Sequence, residues 1–149
     1  MTYYCTKKWG HERGLSCAFR QWRADSHCNK LHGYSIAITL EFETTTLDTR
    51  NWVVDFGSLD TLKFAFESLF DHKTLVAKDD PQLSWFQEAF NLGILQLRIV
   101  DNVGCEAFAE LVYNLTKDWL LLTAPGSVKL TKVTISEHES NSASYSENA

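Results

Sequence analysis

Residues 33–44 alternate without interruption: Tyr34, Ile36, Ile38, Leu40 and Phe42 fall on one face, and Ser35, Ala37, Thr39, Glu41 and Glu43 on the other. A strict period of two over this length is the pattern of an antiparallel strand with one face in the core and one toward water. His32 lies in phase with the apolar face, so the strand starts beside an imidazole. A second strand is expected in residues 14–22, where Leu15, Cys17 and Phe19 share a face. A third is expected in residues 128–137, where Val133, Ile135 and Glu137 do.

Between these strands the period changes. Trp52, Val53, Val54, Asp55 and Phe56 form a short apolar run that ends at a turn, and Ser58 is placed to cap a helix carrying Leu59, Leu62, Phe66, Leu69 and Phe70. Asp79, Asp80 and Pro81 mark a turn before a short helix over residues 83–92 that Gly93 closes. Residues 95–100 suit a small extra strand. Phe108, Leu111, Val112, Leu115, Trp119 and Leu122 then predict a long amphipathic helix over 105–122, broken at Pro125 and Gly126. A last short strand is expected at 143–145, in a Ser- and Asn-rich tail whose end frays over 140–149. This order argues an α+β fold, an antiparallel sheet with helices packed on one face.

Composition limits what such a fold can do. The 149 residues suffice for one core and are read as one domain, 1–149. With 44% hydrophobic and 22% charged residues, the chain has ordinary globular balance. A net charge of −5 without a Lys/Arg-rich run repels a phosphate backbone, so no nucleic-acid partner is expected. No apolar run is long enough to span a bilayer, and no apolar segment follows Lys7 and Lys8 as in a secretory signal. A membrane partner is therefore not expected, and the location is read as cytoplasmic. Cysteines at 5, 17, 28 and 105 show no Cys-x-x-Cys spacing and are expected as free thiols.

Four places carry candidate chemistry. Cys28 lies in a polar loop, Asp25-Ser26-His27-Cys28-Asn29-Lys30, four residues before His32. It is either an ordinary loop thiol or, with a positive or hydrogen-bonding neighbour, a proton-transfer group. Asp71 and His72 end the first long helix. They are either a carboxylate orienting an imidazole or a helix-end histidine favoured by the macrodipole. Glu137 closes a strand whose apolar face it shares. Its carboxylate either faces solvent or accepts two parallel N–H bonds from a guanine-like edge. Glu106 sits at a helix start, where an acid is favoured in any case.

Taken in order, these segments resemble the family of 6-pyruvoyl-tetrahydropterin and 6-carboxytetrahydropterin synthases, over nearly the whole chain from Leu15 to Tyr145. Leu15-Ser16-Cys17-Ala18-Phe19-Arg20 is similar to the family's first strand, Phe-Ser-Ala-Ala-His-Arg. Cys28-Asn29-Lys30-Leu31-His32-Gly33-Tyr34 resembles Cys-x-x-x-His-Gly-His. The run ending in Asp55-Phe56 matches the family's own. Phe70-Asp71-His72-Lys73-Thr74-Leu75 looks like Leu-Asp-His-x-x-Leu, and Glu106 is the conserved end of Pro-Thr-x-Glu. Val133-Thr134-Ile135-Ser136-Glu137 is similar to the strand ending in the pterin-anchoring glutamate.

The resemblance implies a tunnelling fold (T-fold) whose subunits close their sheets into an oligomeric barrel. The assembly is a homo-oligomer, expected as a hexamer, with active sites between subunits. It implies a pterin substrate, 7,8-dihydroneopterin triphosphate, with Cys28, Asp71 and His72 moving protons and Glu137 and Glu106 binding substrate. Family members hold zinc with three histidines. Here only His32 stands at a ligand position, with Phe19 and Tyr34 at the other two, and neither is a good zinc ligand. Cys17 or His27 could substitute in a rebuilt zinc site. In a metal-free site Tyr34 or Arg20 would hold the substrate hydroxyls instead. Two functions follow: a lyase making 6-carboxytetrahydropterin toward queuosine and other 7-deazaguanines, or a pterin- or purine-binding oligomer without that catalysis.

Overall fold

The computed structural model describes residues 1–123 and 126–147. The alternating segment forms the longest strand, β3 (His32–Thr44), and the rest of the sheet is assembled on it. Along one edge lie two antiparallel strands in succession. The first is β1 (Tyr3–Trp9), paired with the second half of β3, and the next is β2 (Leu15–Phe19), paired with its first half. The 3-10 turn His11–Arg13 separates them, and it is pinned to β3 by Ser35 Oγ donating to the carbonyl of His11 at 2.9 Å.

On the other edge of β3 lies β6 (Lys129–His138), and β7 (Asn141–Tyr145) pairs with β6. Two further strands, β4 (Lys73–Ala77) and β5 (Leu97–Val100), extend the sheet beyond β2 through parallel pairings. The result is a curled seven-stranded mixed sheet, a half-barrel with helices on one face. The expected T-fold is present, although the sheet is not purely antiparallel.

The helices are α1 (Asp60–Phe70), α2 (Leu83–Asn91) and α3 (Cys105–Thr123). Phe66 and Phe70 of α1 and Phe108, Ala109 and Val112 of α3 meet Leu15, Phe19, Ile36, Ile38 and Leu40 of the sheet in one buried cluster. Phe108 sits edge-on to both Phe19 and Phe70, at 5.0 and 5.3 Å between ring centroids. Burying a side chain of this size is worth about 1.5–3 kcal/mol against leaving it in water.

Several expectations need correction. Ser58 does not cap α1. Asp55 accepts from the amide of Gly57 at 2.9 Å and starts a 3-10 turn, Phe56–Leu59, which runs directly into α1 at Asp60; the Ser58 hydroxyl donates back to the carbonyl of Asp55. A carboxylate at the turn entrance wins because it accepts a charge-assisted bond from an orphan amide. The tail does not fray from residue 140: β7 pairs with β6, Tyr145 packs edge-on against Tyr113, and Lys117 reaches Glu147 at 2.7 Å. Helix α2 does end before Gly93, whose φ of 76° suits a residue without Cβ. Pro125, read as the breaker of α3, lies outside the described residues. Among those described, no helix is long and apolar enough to cross a membrane.

Candidate active site

Three chain segments enclose a cavity of about 780 Å3 at one end of the sheet. The first is the loop after β2. Its conformation is set by bonds to its own backbone: Gln21 N–H donates to the carbonyl of Cys28 at 2.8 Å, Ser26 Oγ accepts from the amide of Cys28, and Asn29 Nδ2 donates to the carbonyl of Ala24. These bonds fold the loop into a 3-10 turn, His27–Asn29, that presents a half-buried Cys28 to the cavity. His27 follows it there, with Nε2 at 3.9 Å from Cys28 Sγ.

Arg20 anchors the loop from outside. Its Nε and Nη2 donate to the two oxygens of Asp80 at 2.9 and 2.6 Å, while Nη1 donates to the carbonyl of Asn29, the residue after Cys28. Arg20 is therefore committed to structure and is not the substrate-holding group it was a candidate to be.

The second segment is the start of α3, with Gly104, Cys105 and Glu106. Gln21 ties it to the first: its amide nitrogen Nε2 donates to the carbonyl of Val103 at 3.1 Å while its backbone N–H holds Cys28. Gly104 has φ of 113°, and a Cβ there would stand 2.2 Å from Gln21 Nε2. Gly104→Ala is thus expected to strain the backbone and displace the Gln21 side chain, costing about 2–3 kcal/mol. Denaturant titration beside wild type measures this, and a loss below about 0.5 kcal/mol would remove the latch from the account.

The third segment is the end of β6. A register shift beside Ser136 and His138 accompanies the turn into β7. Asn141 Nδ2 donates to Glu137 Oε1 at 3.1 Å, and both residues line the cavity. Cys28, Glu106 and Glu137, proposed from separate parts of the chain, are thereby brought into one cavity. Asp71, His72 and His32 are not among its lining residues.

Asp71 and His72 do contact each other, Oδ1 to Nδ1 at 3.0 Å. Asp71 also accepts from the amide of Ser16, and His72 takes a left-handed φ of 59° that turns its ring outward, 80% exposed. Histidine tolerates that conformation better than most residues. His32 Nδ1 donates to the carbonyl of Lys30 at 2.7 Å. Sequence patterns missed Gln21, Cys105 and Asn141. Only the Gly104-Cys105-Glu106 run carried any signal, a glycine at a helix entrance.

Electrostatics separates the thiols. Burial pushes Cys17 up to about 12, with Cys105 and Asp71 adding to it; burial pushes Cys105 up to about 11, with Glu137 and Glu106 adding to it. Both stay protonated at neutral pH and are poor nucleophiles. The phenol of Tyr34 is also raised, by burial first and then by Glu137 and Cys28.

Comparison with known proteins agrees with this fold. Residues 10–148 match the family described as 6-pyruvoyl tetrahydropterin synthase. The chain belongs to that family. No curated protein matches it. Among solved structures it is similar to an uncharacterized protein, WS1659 of Wolinella succinogenes, at 18% identity and TM-score 0.86, over 99% of each chain. It is also similar to a catalytic-residue mutant of 6-pyruvoyltetrahydropterin synthase from Plasmodium vivax, at 15% identity and TM-score 0.71, over 100% of this chain and 99% of that one. The Caenorhabditis elegans 6-pyruvoyl tetrahydropterin synthase is similar at 18% identity and TM-score 0.63, over 99% of this chain and 96% of that one.

As a member of the pterin synthase family the chain has an altered metal position. Phe19 is the cross-strand partner of His32, and Tyr34 follows on the same face of β3. Instead of donors, this place holds an aromatic pair: Phe19 and Tyr34 stack at 4.8 Å and 27°. The rebuilt set does not converge either. Cys17 is 4% exposed in the core, and among the described residues no three His, Cys, Asp or Glu side chains are placed to hold a metal ion. His27 and His32 are neighbours, edge to face at 5.9 Å, but two imidazoles are one short of the three protein ligands usual at catalytic zinc. The residues present do not fit the family's zinc.

Proposed function

We propose that this protein is a 6-carboxytetrahydropterin synthase-like lyase acting on 7,8-dihydroneopterin triphosphate, in a pathway to queuosine and related 7-deazaguanines. One observation carries the reading: a half-buried thiol, Cys28, shares a cavity with Glu137, whose carboxylate accepts from Asn141. Glu137 accepts two parallel N–H bonds from the aminopyrimidinone edge of the pterin. That anchor lays the C6 side chain toward Cys28, whose sulfur exchanges a proton with side-chain carbon. Glu106 closes the rim.

Asp71 and His72 serve the same chemistry from a neighbouring subunit in this reading, which accounts for a contacting carboxylate–imidazole pair left outside the cavity. The sheet supplies a way to bring subunits together. Among the described residues β1 pairs only with β3 and β7 only with β6, so the antiparallel row β1–β3–β6–β7 has an open edge at each end. Pairing β1 of one copy with β7 of the next closes a ring, removes both edges and forms a homo-oligomer, a hexamer when two rings stack.

The stack of Phe19 on Tyr34 favours a second reading, an oligomer that binds a pterin or purine without turning it over. Incubation with dihydroneopterin triphosphate separates the two. The enzyme reading expects substrate loss and a carboxypterin product, reduced at least about a hundredfold in Cys28→Ala. Absence of turnover with added zinc, with other metals and after chelation, while pterin still binds, would leave the second reading standing.

A further inference from the structure

The ring of Tyr34 is fixed and its hydroxyl is not. Phe19, itself 4% exposed and edge-on to Phe108, stacks on one face of the half-buried ring, so a phenol that swings away loses that contact. Yet among the described residues the Tyr34 hydroxyl has no hydrogen-bond partner, and the side chain lines the cavity with Cys28 and Glu137. Burial, reinforced by these two neighbours, keeps the phenol protonated at neutral pH. It is a donor that loses little freedom on meeting a ligand.

Several neighbouring donors are already engaged, while His27, Ser140 and Ser142 also line the cavity. The Arg20 guanidinium is taken by Asp80 and the carbonyl of Asn29, Gln21 Nε2 by the carbonyl of Val103, and His32 Nδ1 by the carbonyl of Lys30. The metal that relatives would use for side-chain hydroxyls does not fit here, for the reasons given above.

We infer that the Tyr34 hydroxyl donates a hydrogen bond to a hydroxyl oxygen of the pterin C6 side chain, so that this protein reads the polyol without a metal. The inference rests on the pterin reading of the cavity and adds to it the group that selects among pterins. A ligand with vicinal side-chain hydroxyls gains from Tyr34; a pterin bearing only a methyl group at C6 does not.

Titration of wild type and Tyr34→Phe with neopterin and with 6-methylpterin, each with and without chelator, tests it. The variant keeps the ring and its stack, so the fold is preserved, which the thermal midpoint checks. Neopterin affinity is expected to fall about fivefold to tenfold in Tyr34→Phe while 6-methylpterin stays within about twofold, the worth of one hydrogen bond. Chelation is expected to change neither.

Equal losses for both ligands, or no loss for either, would overturn the inference while leaving the pterin cavity intact. Neopterin binding that vanishes on chelation would overturn it in favour of a metal. If wild type binds neither compound, the pterin reading itself falls and takes this one with it. As a separate measure, Phe19→His with Tyr34→His rebuilds three imidazoles around His32. That double variant is expected to bind zinc stoichiometrically where wild type does not, and stoichiometric zinc in purified wild type would also overturn the inference.

Discussion

Asp80→Ala is expected to destabilise the protein by about 3 kcal/mol and to lower its thermal midpoint by roughly 10 °C. The Asp80 side chain is 1% exposed and Arg20 only 21%, so deleting the carboxylate leaves a largely desolvated guanidinium without its partner. The amide of Gln82 loses its acceptor as well. The double variant Arg20→Met with Asp80→Leu is expected to recover most of the loss, because two apolar groups leave no charge uncompensated. Equal stability of the single and double variants in urea would show that the pair is not coupled.

The same pair has a pH signature. Burial alone pushes the Asp80 carboxyl up, but the hydrogen bonds from Arg20 and from Gln82 N–H outweigh it, and the carboxyl sits below the ordinary carboxylate range. A carboxyl depressed by folding stabilises the native state above its unfolded pKa, and that stabilisation drains away as pH falls through the folded value. The gap between wild type and Asp80→Ala is therefore expected to be full at neutral pH and to close in acid. The loop that carries Cys28 shares the dependence, since Arg20 also donates to the carbonyl of Asn29.

What was legible in the sequence followed from local pattern. Strand β3 is long, half-buried and flanked by strands on both sides, so its alternation is undiluted. Strand β1 shows how the pattern fails. It lies on an open edge of the sheet, Tyr3 and Tyr4 are exposed, and Lys7 interrupts the face of Cys5 and Trp9 while Lys8 lies on the other, a device that discourages unwanted edge pairing and also erases the signal. Strand β4 fails in the opposite way. Thr74, Leu75, Val76 and Ala77 are all buried, because a parallel strand inside the sheet is covered on both faces, and five residues without alternation do not announce a strand.

At the site, Cys28, Glu106 and Glu137 each have an ordinary explanation as single residues and drew notice through the family resemblance; the fold places all three on one cavity. Gln21 was not legible, since a glutamine carries no marked chemistry and its value lies in two bonds made to segments far apart in the chain. Nor could spacing show that Arg20 is occupied, as its partner lies sixty positions away.

Glu137→Ala is expected to lower pterin affinity at least about a hundredfold, corresponding to ~3 kcal/mol, because two charge-assisted hydrogen bonds are lost together and the ligand's N–H groups enter the cavity unpaired. The carboxylate is pre-aimed by Asn141, so little of its contribution is consumed in ordering it. Glu137→Gln discriminates further. Its amide retains one acceptor, but its NH2 meets a ligand edge that offers only donors, so glutamine is expected to do no better than alanine despite its matched size. Stability is a weak contributor to either result: Glu137 ends a strand at 24% side-chain exposure, and its replacement is expected to cost under about 1 kcal/mol. Calorimetric titration with neopterin, alongside thermal melts of each variant, measures both quantities. Unchanged affinity in Glu137→Ala would place the pterin elsewhere than between Cys28 and Asn141, whereas a loss shared equally with 6-methylpterin would locate the contact on the ring rather than on the side chain. The proposed pose expects the ring contact, because Glu137, Tyr34 and Cys28 line one cavity and only Glu137 among them is a carboxylate.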